Sequence, residues 1–205
     1  MDMRKLLIPG FSYAPPRNFE LPAAVSVIFG GGERDEIAFP AGSTDDFFSA
    51  KLTDTVYFVS RSASGGERRD YAIDTSAGLV TRVSGGAGDP RFDFGAVEGA
   101  ASAQRHALSN DLDGNKVRWA FSPREDGWLT AEYSNGGVTA SYPDGTVKSA
   151  KSFAAAHVAE GVYFFYEAFG SHRATMLCDF GKVLAVGTVF SDKGAQLFGA
   201  WGKIL

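Results

Sequence analysis

The residue with most chemical promise is Glu167. It sits in a run of aromatics: Tyr163, Phe164, Phe165, Tyr166 and Phe169. A carboxylic acid in apolar surroundings keeps its proton to higher pH, which suits general acid–base work. An edge position facing solvent is the plain alternative. His157 and His172 lie in the neighbouring segments, and histidine titrates near neutrality. Glu167, His157 and His172 are therefore the candidate catalytic set. Tyr163 would orient a substrate and Phe165 would wall it. A His₂–carboxylate metal set is conceivable. No i, i+2 or i, i+4 pair builds it, so neither a metal nor a cofactor is expected. Trp119 and Tyr133 read as core or as pocket walls for a flat, apolar ligand. Tyr166 and Arg173 fall on the opposite strand face, where, with Thr175, they could grip a carboxylate. A surface cross-strand pair is the plainer reading. Arg118 and Glu132 suggest a surface salt bridge, which contributes little. Cys178 is the single cysteine and reads as inert packing. His106 carries only a weak functional expectation.

The chain around these residues has 205 residues and a formal net charge of -4, which excludes a generally basic nucleic-acid binder. Hydrophobic residues make up 44% and charged residues 21%, an ordinary globular balance. With 25 glycines and 17 phenylalanines, short strands and tight turns are favoured over helices. One cysteine permits no intrachain disulfide and no cysteine-based zinc site. Only three apolar residues follow Arg4-Lys5 before Pro9-Gly10, too few for a secretory segment. No run approaches the ~20 apolar residues of a membrane span. The expected location is the cytoplasm. The glycine-rich GGGERD (30–35) lacks the Lys-Ser/Thr ending of a phosphate loop, so nucleotide binding is set aside.

The elements that must position Glu167 emerge from an internal repeat. DTVYFVSRS (54–62) resembles EGVYFFYEA (160–168) at a shift of 106. The same shift pairs Phe47 with Phe153, Ala50 with Ala156 and Asp54 with Glu160. Asp74 matches Asp179 at a shift of 105, and FGAV (94–97) matches FGAW (198–201) at 104. VSVIFGGGERD (25–35) resembles VRWAFSPRED (117–126). The chain divides into an N-terminal extended arm (1–23), a first repeat (24–97), a linker (98–114) and a second repeat (115–205). The second repeat carries an insertion around Pro143 to Lys151. The Ala-rich linker could hold a short helix.

The repeat also decides SFAAAHVA (152–159), which alone looks helical. Its counterpart DFFSAKLT (46–53) is aromatic and β-like, so 152–158 is predicted to be a strand. Alternation predicts further strands at 116–122, 127–134, 137–142, 161–169, 172–179, 182–190 and 196–203. Asn135-Gly136 and Gly170-Ser171 are two-residue hairpin turns. These turns predict that Phe169 faces His172, Glu167 faces Ala174 and Phe153, Phe165 faces Met176, and Tyr163 faces His157. One face then carries Phe153, His157, Tyr163, Phe165, Glu167, His172 and Cys178. The other carries Ala156, Val162, Phe164, Tyr166, Arg173 and Leu177. The second face is the more apolar and is expected to be the packed core. The first would face solvent or line a wet pocket. In the first repeat Lys51 and Arg61 stand where His157 and Glu167 stand in the second. If both repeats faced one pocket, it would hold opposite charges.

GNKVRWAFSP (114–123), GVYFFYEA (161–168) and ATMLCDFGKVLAVGTVF (174–190) together resemble the molybdenum-cofactor biosynthesis protein F (MoaF) family. The resemblance covers 110–203 best and the first repeat weakly. It implies two lipocalin-like (calycin) halves. Single-unit relatives and phenolic acid decarboxylases share a G-[IL]-Y-x-x-[SD]-W hairpin strand, which Gly161, Val162 and Tyr163 fit. Glu167 stands where that family often has Trp, and by analogy its carboxylate points into the barrel.

The expectation is thus an all-β chain of two lipocalin-like antiparallel meander barrels, with one larger merged barrel as the alternative. The expected function is a cofactor-free lyase or isomerase acting on an apolar or aromatic compound in a barrel lumen. Ligand contacts would come from Tyr163, Phe165, Trp119, Tyr133, Tyr166, Arg173, Lys51 and Arg61. The alternatives are a hydrophobic-ligand carrier or sensor and an accessory of molybdenum-cofactor metabolism. The expected partner is a small molecule, with no nucleic acid, no membrane and a homodimer left open.

Overall fold

A computed structural model describes residues 6–7, 21–39, 47–62, 67–84, 90–101, 105–170, 172–191 and 194–205. The chain is all-β. Its strands are β1 (Ala24–Phe29), β2 (Arg34–Ala38), β3 (Phe47–Lys51), β4 (Val56–Ser62), β5 (Arg68–Asp74), β6 (Leu79–Ser84), β7 (Arg91–Val97), β8 (Ala107–Leu108), β9 (Lys116–Ala120), β10 (Trp128–Ser134), β11 (Gly137–Ser141), β12 (Val147–Ser149), β13 (Ser152–Ala159), β14 (Val162–Phe169), β15 (His172–Asp179), β16 (Leu184–Ser191) and β17 (Gly194–Ile204).

They form two curled antiparallel sheets. The first runs β2-β1-β7-β6-β5-β4-β3 and the second β12-β11-β10-β9-β17-β16-β15-β14-β13-β8. Seven strands of the second sheet, from β10 to β13, repeat the order of the first. The duplication is therefore structural. Both copies also cap the same turn with the same residue. Asp74 Oδ1 accepts the Ser76 and Ala77 amides, and Asp179 Oδ1 accepts those of Gly181 and Lys182. The insertion in the second copy is the β11–β12 hairpin. Its ladder runs on to the Ala150 amide, which donates to the Val138 carbonyl at 2.9 Å, and β11 comes near β13.

The linker departs from expectation. Its described part is not helical. Ala107 and Leu108 form β8 and extend the second sheet by pairing with His157 and Ala156. A free sheet edge has unpaired backbone groups, and satisfying them outweighs the helix preference of Ala. The predicted arm over Phe11–Pro22 lies almost wholly outside the described residues. Leu6 and Leu7, from the segment before the first repeat, are buried in the core of the second unit.

The hairpin registers are as predicted: Phe169 pairs with His172, Glu167 with Ala174 and Phe153, Phe165 with Met176, and His157 with Tyr163. The environment of the two faces needs correction, because both are buried. The Glu167 face is the inside of the second unit, filled by Trp119, Phe121, Tyr133, Phe165 and Phe198. The Phe164 face packs against the first unit. Phe58, Leu52, Val56 and Val83 of one sheet meet Phe164, Val162, Tyr166 and Leu177 of the other. The two units stand back to back across this seam, each with its own interior on the far side. Neither described pocket is lined by residues of both units.

Candidate functional site

Glu167 lies near one end of the second barrel. Its cross-strand neighbours at the same level are Phe153, Ala174 and, one strand further, Val189. All are apolar, so its side chain is only 5% exposed. Burial alone pushes its carboxyl up to about 8. No hydrogen-bonding partner reaches it among the described residues. The Tyr133 hydroxyl and the Cys178 thiol share this interior, and both are raised well above their ordinary range, first by burial and also by the Glu167 charge. A carboxyl raised to about 8 keeps its proton at neutral pH.

Over this level opens a small cleft at the barrel mouth. Ala174 and Val189 form its floor, and Tyr142, Lys148, Phe169, His172 and Arg173 form its rim. Its volume is about 10 Å³, room for about one water. The rest of the interior is aromatic packing. The Tyr133 ring lies 5.8 Å from Phe153 and 5.9 Å from Phe165, and the Trp119 Nε1–H donates to the Tyr133 hydroxyl at 3.4 Å. Trp119 and Tyr133 are thus core residues, each 1% exposed. Phe165 is buried with them.

The structure does not gather the three proton-handling candidates. His172 shares the cleft rim with Phe169, next to the Glu167 level. His157 sits four residues along β13 from Phe153, about 13 Å away at ~3.3 Å per residue. It stacks against Tyr163, with ring centroids 5.3 Å apart. His157 and Tyr163 belong to the opposite end of the barrel, capped by Phe180, whose ring is 5.6 Å from Tyr163.

Tyr166 and Arg173 are diagonal neighbours on one strand face, since Tyr166 pairs with Thr175. Tyr166 is buried in the seam rather than lying on a surface, and Arg173 is at the rim. Thr175 itself, with Thr188 rather than Tyr166 or Arg173, holds a carboxylate of the protein, that of Asp70. The Thr175 and Thr188 hydroxyls donate to Asp70 Oδ2 across the seam. Asp70 Oδ1 is buried without a partner, and burial raises its carboxyl above the ordinary range.

In the first unit Arg61 is held inside an ion network. Its guanidinium donates to Asp35 Oδ1, to the Tyr71 hydroxyl at 3.1 Å and to the Glu36 carbonyl at 2.9 Å. Arg82 lies in the same interior, forked onto Glu33 at 2.8 Å through both terminal nitrogens and bonded to Asp93. The GGGERD turn thus supplies Glu33 and Asp35 of this network, and β7 supplies Asp93. Lys51 stands over the Tyr57 ring at 5.9 Å. The expected Arg118–Glu132 bridge is replaced by a Lys116–Glu132 pair at 3.1 Å, because the register sets Glu132 opposite Lys116. Arg118 instead covers the Trp128 ring at 4.4 Å.

His106 is a residue that its sequence undersells. It is 5% exposed, its Nδ1 meets the Thr81 hydroxyl at 2.7 Å, and burial pushes it down to about 4. Nothing in QRHAL (104–108) signals this, because the contact is made by a strand some 25 residues earlier. Among the described residues no cluster of three or more His, Cys, Asp or Glu is placed to hold a metal, and no helix is long and apolar enough to cross a membrane. No protein-family model matches the chain, and no curated protein matches it either.

Proposed function

We propose that the second unit is a cytoplasmic, cofactor-free acid–base site, a lyase or isomerase for an apolar or aromatic compound that enters at the barrel mouth. One observation carries this reading: a buried carboxyl, pushed up to about 8 and without a partner among the described residues, whose cross-strand neighbours Ala174 and Val189 line a cleft. Glu167 gives its proton to the substrate and takes one back to close the cycle. His172 lies at the same rim and is the second proton-handling group within reach. His157 and Tyr163, at the far end, hold the barrel wall. The resemblance of GVYFFYEA (161–168) to the MoaF-like and phenolic acid decarboxylase strand supports the substrate class. Because the interior is filled, this reading requires the substrate to bind at the mouth, over Ala174 and Val189.

The test is a panel of phenolic and other aromatic acids, followed for loss of CO₂ and for new products by chromatography. Wild type is expected to convert at least one, and Glu167→Gln to lose all turnover. Equal turnover in Glu167→Gln removes that residue from the mechanism. Binding without conversion points instead to a carrier, and a response to pterins alone to a cofactor-pathway accessory.

A further inference from the structure

A cavity larger than the cleft of the second barrel lies elsewhere. It lies on the outer face of the first sheet, where β1, β7 and β6 run beyond the seam. Ile28, Leu79, Phe94 and Ala96 form its apolar wall, and Arg105 and His106 of the linker close one side. Its volume is about 270 Å³, at the small end of ligand pockets and suited to one or two fused rings. Ile28 remains 36% exposed beside it, an unusual degree for an isoleucine in a strand.

Two residues with polar side chains, Arg105 and His106, line the cavity beside this apolar wall. His106 is buried, and its Nε2 has no partner while Nδ1 is satisfied by Thr81. A buried polar nitrogen without a partner is costly, and native proteins leave few of them. In the tautomer in which the Thr81 hydroxyl donates to Nδ1, the neutral ring carries its proton on Nε2 and offers one donor. Arg105 is exposed, and no carboxylate among the described residues pairs with it. A neutral donor and a cation at one end of an apolar slot match a planar ring system bearing a carboxylate.

We infer that this outer groove of the first unit is a binding site for an aromatic monocarboxylate, its ring against Ile28, Leu79, Phe94 and Ala96 and its carboxylate on Arg105 and His106. The site is separate from the second barrel and stands whether or not Glu167 is catalytic.

The probe is 2-naphthoate, titrated into the full chain by calorimetry, with side-chain ¹⁵N spectra of the three histidines. Binding is expected with submillimolar Kd, and the neutral 2-naphthylmethanol should bind at least tenfold more weakly. The His106 nitrogens should shift while those of His157 and His172 stay put. Arg105→Glu, at an exposed position, should weaken binding at least tenfold, and Ala96→Phe should fill the slot and abolish it. No heat at millimolar naphthoate overturns the site, as does unchanged affinity in Arg105→Glu. A shift at His172 in place of His106 also overturns it, because the probe then sits at the barrel mouth and bears on the acid–base reading alone.

Discussion

Glu167 and His106 are both buried titratable groups, and they pull stability in opposite directions with pH. Glu167 has a raised folded pKa, so the folded state holds its proton more tightly than the unfolded chain. Its contribution is complete below the unfolded value of 4.5 and is lost as pH climbs to about 8. His106 has a lowered folded pKa of about 4, so its contribution is present above 6.5 and is lost as pH falls toward 4. Between about 4.5 and 6.5 the two oppose each other. Above 6.5 the Glu167 loss stands without the opposing gain, worth about 2 kcal/mol up to pH 8. Asp70 acts in the same direction as Glu167. Urea unfolding at pH 6.5 and pH 8 should therefore show wild type weakening, and Glu167→Gln weakening by about 2 kcal/mol less. Parallel losses in both proteins would mean that Glu167 is solvated. A carboxyl that costs stability at neutral pH, in a wall where leucine would pack, is the kind of residue retained for chemistry.

At the scale of strands, close packing inside the second barrel depends on glycine at one central position. Gly187 of β16 pairs with Met176 and Phe198, and the Phe198 ring lies over it. A Cβ at Gly187 would stand 2.1 Å from the Thr175 carbonyl oxygen and 2.9 Å from Phe198 Cζ. Neither the backbone oxygen nor the buried ring can retreat, so Gly187→Ala should cost about 2–3 kcal/mol. Gly137→Ala, where the nearest atom is 3.5 Å away, should be nearly neutral. Urea midpoints of the two variants decide this, and equal midpoints would refute the packing. The same strands show what sequence can convey. Asn135-Gly136 and the Gly170 turn set their registers locally, and comparison of repeats rescued β13 from its helical composition. The three-residue β12 and two-residue β8 escaped, because VKS and AL are too short to show a period. Their pairing comes from the edges they cover. The partition of each strand into two faces was legible too. Which face meets the partner unit was not, since interior and seam are both apolar and periodicity carries no information about what lies opposite.

The seam makes the two units one folding body. Phe164 is fully buried there, edge-on to Phe58 at 6.2 Å and to Phe92 at 6.4 Å. Asp70 of the first unit is held by Thr175 and Thr188 of the second. The core of the second unit is completed by Leu6 and Leu7, which precede the first repeat in the chain. Neither unit alone would therefore present a satisfied surface: the first would bare Leu52, Val56 and Phe58, and the second would bare Phe164 and lose two core leucines. Scanning calorimetry of the whole chain should give one transition whose calorimetric and van't Hoff enthalpies agree. Phe164→Ala removes the ring that both Phe58 and Phe92 rest on and should cost about 3–5 kcal/mol. That loss falls on the seam, so the single transition should broaden or split as the units begin to melt separately. Two transitions already present in wild type would show that the seam does not couple the units. A Phe164→Ala peak lowered in temperature yet still single would place the coupling in the Asp70–threonine contacts and the N-terminal leucines instead.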